Sequence, residues 1–114
     1  MPTPLSGSRT SRPQLQDNDL TGPVPVELCA LSQLTYLVLY YNYLTGPIPR
    51  CLGNLSQLTD LELGANDLTG TIPVELCALH QLEYLYLDNL PYITWTMPPC
   101  FQDARGSFEV HLFP

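Results

Sequence analysis

Lysine is absent from this 114-residue chain, and only four arginines (Arg9, Arg12, Arg50 and Arg105) stand against eleven aspartates and glutamates. Without a lysine, no Walker-type loop for nucleotide phosphates can be built. The formal charge of −7 repels a phosphate backbone, which argues against nucleic acid and anionic membrane as partners. A basic peptide or a neutral glycan is tolerated. No stretch approaches the roughly 18 consecutive apolar residues of a membrane span, so no membrane insertion is expected in this segment. The first twelve residues, MPTPLSGSRTSR, have no apolar core and do not read as a secretory signal. Charged residues are scarce, 13% against 45% apolar, the balance of a globular chain with room for one small domain.

Catalytic and metal-binding patterns are missing as well. No close C-x-x-C pair with a neighbouring histidine occurs, so neither metal nor cofactor is expected. His80 and His111 have no nucleophile at a recognisable spacing. Glu27 and Glu75 are equivalent positions of a repeat rather than a glycosidase pair. No enzyme is expected.

What the chain does contain is a repeat. Leu20-Thr-Gly-Pro-Val-Pro25 returns as Leu44-Thr-Gly-Pro-Ile-Pro49 and as Leu68-Thr-Gly-Thr-Ile-Pro73, with a period of 24 residues. Between these blocks Leu34, Leu37, Leu39, Asn42 and Leu44 recur as Leu58, Leu61, Leu63, Asn66 and Leu68, the pattern L-x-x-L-x-L-x-x-N-x-L. The x-L-x-L-x part alternates with period 2 and predicts a short strand with inward leucines, paired in parallel with its neighbours. Asn18, Asn42 and Asn66 fall where the chain leaves each strand, and a buried amide there can satisfy backbone groups of its own and adjoining turns. Thr-Gly then permits a tight change of direction, and the apolar residue before Pro25, Pro49 and Pro73 plugs the core. Leu28 with Leu31, and Leu76 with Leu79, are spaced for one short helical turn on the outer, convex side.

The pattern loosens toward the end. Leu82, Leu85 and Leu87 fit, but Leu90 stands at the asparagine position, with Asn89 one place early. Ile93-Thr-Trp-Thr-Met-Pro98 matches the Leu-Thr-Gly block only after a one-residue insertion, and a further strand begins near Glu109. Residues 1–12 read as a flexible tail, and 13–113 as three full repeats with a partial one at each side.

These motifs resemble the plant-type leucine-rich repeats of receptor-like kinase ectodomains and polygalacturonase-inhibiting proteins, over about residues 13–113. The resemblance implies an α/β solenoid, a right-handed superhelix with a short parallel sheet on its concave face. It also implies a secreted or cell-surface setting and a non-enzymatic module that binds a protein or peptide. Arrays of this kind carry cysteine-bearing caps, and nothing before Leu15 looks like one. The chain is therefore expected to be a piece of a longer array, able to self-associate through uncapped ends.

The four cysteines allow two readings. Cys29 and Cys77 share one repeat position, as do Cys51 and Cys100, and partners two strand spacings apart lie beyond the ~7 Å reach of a bridge. Cys29–Cys51 and Cys77–Cys100, in adjacent repeats, remain open. Four small, partly buried thiols are the preferred reading.

Function is expected on the concave face. Side chains between the strand leucines point outward in columns: Tyr36, Asp60, Tyr84 and Glu109; Val38, Glu62, Tyr86 and His111; Tyr40, Gly64, Asp88 and Phe113. Tyrosine is a residue of interfaces, and carboxylates beside it favour a basic ligand. The candidate ligand-binding set is Tyr36, Val38, Tyr40, Asp60, Glu62, Tyr84, Tyr86 and Asp88. Asn54-Leu-Ser56 is a glycosylation sequon on the convex turn. The threonine column (Thr21, Thr45, Thr69, Thr94) offers an alternative, an array contacting ice or carbohydrate, although plain turn chemistry is the preferred account of Thr-Gly. A purely scaffolding segment without a ligand of its own is the other alternative.

Overall fold

The computed structural model describes residues 19–102 and 109–111. The expected tail, Asn18 and Phe113 lie outside the described residues. In chain order the strands are β1 (Thr21–Pro23), β2 (Tyr36–Val38), β3 (Tyr43–Pro47), β4 (Asp60–Glu62), β5 (Asp67–Thr71), β6 (Tyr84–Tyr86), β7 (Ile93–Thr94) and β8 (Glu109–His111). Three single 3-10 turns, Val26–Ala30, Arg50–Asn54 and Val74–Ala78, recur between them, and a short helix α1 (Pro99–Gln102) takes the same place in the last repeat.

The even-numbered strands form the expected parallel sheet, in the order β2-β4-β6-β8. Tyr36 stands opposite Asp60 and Asp60 opposite Tyr84, one full repeat apart each time. Tyr84 is opposite Glu109, one residue more, which is where the insertion is absorbed.

The Leu-Thr-Gly blocks bend at their glycines, and do so within strands. They form a second parallel sheet, β1-β3-β5-β7. Gly22, Gly46 and Gly70 take positive φ (79°, 76° and 78°) within it, a conformation that glycine adopts without a Cβ penalty. Its register is stepped: Tyr43 stands opposite Thr21, and Asp67 opposite Thr45. Each strand therefore lags its neighbour by two residues relative to the 24-residue repeat.

The core lies between the two sheets and the turns. Leu37, Leu61 and Leu85 are fully buried, as are Leu39, Leu63 and Leu87 beside them. Val24, Ile48 and Ile72, each just past a strand of the second sheet, close it on that side, and Leu28, Leu52 and Leu76 close it from the 3-10 turns. Each such side chain contributes about 1.5–3 kcal/mol on burial. The turns start where proline presets the backbone: Pro25, Pro49 and Pro73 have φ near −65° (−65°, −63° and −64°) and accept hydrogen bonds from the N–H groups of Leu28, Leu52 and Leu76.

The asparagines are buried and span repeats. Asn66 Nδ2 donates to the carbonyl oxygens of Leu39, Leu63 and Gly64, and its Oδ1 accepts from the N–H of Leu44. Asn42 Oδ1 accepts from the N–H of Leu20, and its Nδ2 donates to Leu39 O. At the next rung Leu90 is fully buried and extends the apolar core instead.

The thiol reading is corrected by the structure. Cys29 is bonded to Cys51 and Cys77 to Cys100, with Cα–Cα separations of 5.7 and 5.8 Å. Equivalent positions are too far apart to bridge. These pairs join different positions of successive convex turns.

Candidate functional site

The parallel register determines which side chains share the concave face. Tyr36, Asp60 and Tyr84 form one row and Val38, Glu62 and Tyr86 the next, all on strands whose intervening leucines are buried. The third row passes just beyond the strands. There the N–H of Tyr41 donates to Gly64 O and the N–H of Ala65 to Asp88 O, which carries Tyr40, Gly64 and Asp88 into line.

Exposure along the face is uneven, and this corrects the simple picture of every outward position facing solvent. Tyr84 is 38% exposed, while Tyr36, Val38, Tyr40, Glu62, Tyr86 and Asp88 are half-buried. Asp60 is buried, at 9%. Its neighbours across the sheet are Tyr36 and Tyr84, whose bulk period-2 patterning cannot register. Tyr84 and Tyr86 lie with ring planes 7° apart and centroids at 6.4 Å.

Burial, together with a side-chain hydrogen bond to Asp60 and the charges of Asp60 and Asp88, raises the Glu62 carboxyl from its ordinary 4.5 to about 7. Asp88 Oδ1 is buried without a hydrogen-bond partner. Gly64 makes room for it: a Cβ there would lie 2.7 Å from Asp88 Oδ1 and 3.3 Å from the Tyr40 ring. Three carboxyl groups thus crowd the centre of a face edged by tyrosines. Among the described residues no group of His, Cys, Asp or Glu is placed to hold a metal ion.

Asn54 is exposed at the end of the second 3-10 turn, with Leu55 buried and Ser56 exposed. Thr21, Thr45, Thr69 and Thr94 are all exposed. The stepped register puts Thr45 opposite Pro23 and Asp67, so the threonines do not make a row straight across the strands.

One feature escaped the sequence reading. A groove of about 340 Å³ runs where the chain passes from the first sheet to the second. Tyr41, Ala65 and Asn89 line it from one set of equivalent positions, Asp19, Tyr43, Asp67 and Pro91 from another, and Asn42 and Asn66 border it. Reading positions 41 and 43 as columns, like those of the strands, is the signal that would have found it.

A family model, described as leucine rich repeat, matches residues 32–89. No curated protein sequence matches the chain. Among solved structures, the plant peptide hormone receptor RGFR1, in complex with RGF2, is 40% identical with a TM-score of 0.69, over 70% of this chain and 13% of that one. The BIR2 ectodomain from Arabidopsis thaliana is 32% identical with a TM-score of 0.76, over 84% of this chain and 50% of its own. A plant ice-binding protein is 36% identical with a TM-score of 0.75, over 82% of this chain and 30% of that one. The chain thus spans half or less of the length of each.

Proposed function

The chain belongs to the leucine-rich repeat family, a non-enzymatic protein-binding fold, and from that premise we propose that its concave face recognises a basic peptide or protein loop. The observation that carries this reading is the carboxyl cluster of Asp60, Glu62 and Asp88, set in register among Tyr36, Tyr40, Tyr84 and Tyr86. Tyrosine supplies a large apolar body and a hydroxyl at little entropic cost. Burial first, and then the Asp60 and Asp88 carboxyls, disfavour the charged form of Glu62, and an incoming cation relieves that cost, so a guanidinium or ammonium group fits where an anion does not. The structural likeness to a peptide hormone receptor supports a peptide as the occupant.

The test is binding of an arginine- and lysine-rich peptide panel to immobilised protein, with acidic counterparts as control. Tyr36→Ala and Tyr86→Ala should each weaken capture, and Gln57→Ala, an exposed change on the convex turn, should leave it unchanged. Glu62→Lys should slow association, less so at high salt. Loss of binding on the convex change alone would transfer the site to the other face.

A second reading has one observation in its favour, the likeness to a plant ice-binding protein. The exposed threonines would be the contact surface, and their stepped, proline- and aspartate-interrupted arrangement weighs against it. Thermal hysteresis in solution would favour this reading over peptide recognition.

A further inference from the structure

The groove between the two sheets carries a second recognition element, and we propose that it is a subsite for one arginine side chain of a peptide ligand, separate from the concave carboxyl cluster. It rests on the peptide-binding reading only for the source of the arginine.

The groove has a specific origin in the sequence. Tyr41, Ala65 and Asn89 occupy equivalent positions in three successive repeats, each with left-handed backbone (φ 66°, 54° and 58°). The small Ala65 between two larger neighbours leaves the opening. Tyr41 and Tyr43 stand 61% and 58% exposed at its wall, with Asp19 and Asp67 beside them. Aromatic faces and carboxylates around one opening suit a planar cation, which stacks on a ring and donates to the acids at its edge. Among the described residues no lysine or arginine lines it. The only arginine or lysine among the described residues, Arg50, lines a different depression beside the third 3-10 turn. Charge complementarity therefore selects a cation.

The groove is also continuous with the concave face. The rings of Tyr40, on that face, and Tyr41, in the groove, have centroids 6.0 Å apart. A peptide lying on the sheet can pass a side chain over this pair. Tyr41 is a poor choice for local structure, because a bulky residue with positive φ is unfavourable where asparagine or glycine is not. Its ring contributes to the groove what its backbone loses to the fold.

The probe is N-acetyl-arginine methylamide, titrated into the isotope-labelled protein and followed by amide NMR, with the neutral citrulline analogue as control. The arginine probe should shift Tyr41, Tyr43, Ala65 and Asn89 saturably, and citrulline should not. Tyr43→Ala should weaken this binding about two- to fivefold, as expected for a solvent-exposed cation–π contact. Asp67→Asn, which preserves shape, should weaken it as well, and Glu62→Gln should not. Tyr41→Asn should raise the melting temperature while weakening the probe, a combination that a purely structural tyrosine would not produce. Equal shifts with citrulline, or no shifts at the groove, overturn the proposal. Shifts confined to Asp60, Glu62 and Asp88 overturn it too, while leaving the concave reading intact. Groove binding that survives while the peptide panel fails upholds the subsite and removes the concave reading.

Discussion

Asn66 Nδ2 donates to the carbonyl oxygen of Leu39, 2.9 Å away in the preceding repeat, and the same oxygen accepts from Asn42 Nδ2 at 3.0 Å. Two asparagines one repeat apart therefore converge on one acceptor, and the stack is tied across repeats as well as within them. Asn66→Leu removes three donated bonds and the acceptor for Leu44 N–H. Each buried group left unpaired costs about 1–3 kcal/mol. The variant should melt far below the parent, and Asp67→Ala, one residue on and half-buried, should have several-fold less effect on stability in urea titrations. Equal midpoints would contradict the ladder's role.

The raised Glu62 carboxyl gives stability a pH dependence of determined sign. Its native value of about 7 exceeds the ordinary 4.5, so between those two values the native state holds this proton more tightly than the unfolded chain does. This group's contribution therefore falls as pH rises through that window. Glu62→Gln should raise the melting temperature at pH 8 and leave it nearly unchanged at pH 4.5. A larger gain at the acidic end would reverse the assignment.

The disulfides predict a chemical outcome. Denatured, unreduced protein should show no thiol reactive with Ellman's reagent among Cys29, Cys51, Cys77 and Cys100. Replacing Cys77 and Cys100 together by alanine should cost about 3 kcal/mol, the scale for a loop of this length. Four reactive thiols would restore the reading that sequence spacing favoured.

Gly53 holds the repeat position of Cys29 and Cys77, and Glu75 that of Cys51 and Cys100. At this middle junction a close backbone approach replaces the disulfide. A Cβ on Gly53 would press on the Glu75 carbonyl group, with its carbon at 2.9 Å. Gly53→Ala should destabilise the fold by about 1–3 kcal/mol, as overpacking does. A neutral result by calorimetry would show that the two turns slide apart without cost.

Much of the concave face was legible from the chain alone, though not the burial of its side chains. Tyr36, Asp60 and Tyr84 recur at the repeat interval, so their shared row follows once the strands pair in parallel. That Asp60 is buried and Glu62 perturbed does not follow, because both depend on how neighbouring side chains fill space between strands. The groove is not legible in the leucine alternation, because Tyr41 and Tyr43 flank Asn42 where that alternation breaks off.

The repeat, the inward leucines, the asparagine ladder and the columns of the first sheet are all written in the order of residues along the chain. All of these are consequences of local periodicity, the same short-range preference restated in each repeat. The second sheet with its stepped register, the pairing of the cysteines, and the meeting of Asp60, Glu62 and Asp88 emerge only when the coils stack. These turn on distances of a few ångströms between successive coils, which a local pattern does not specify. Periodicity specifies which residues are equivalent. Packing determines which of the non-equivalent ones touch.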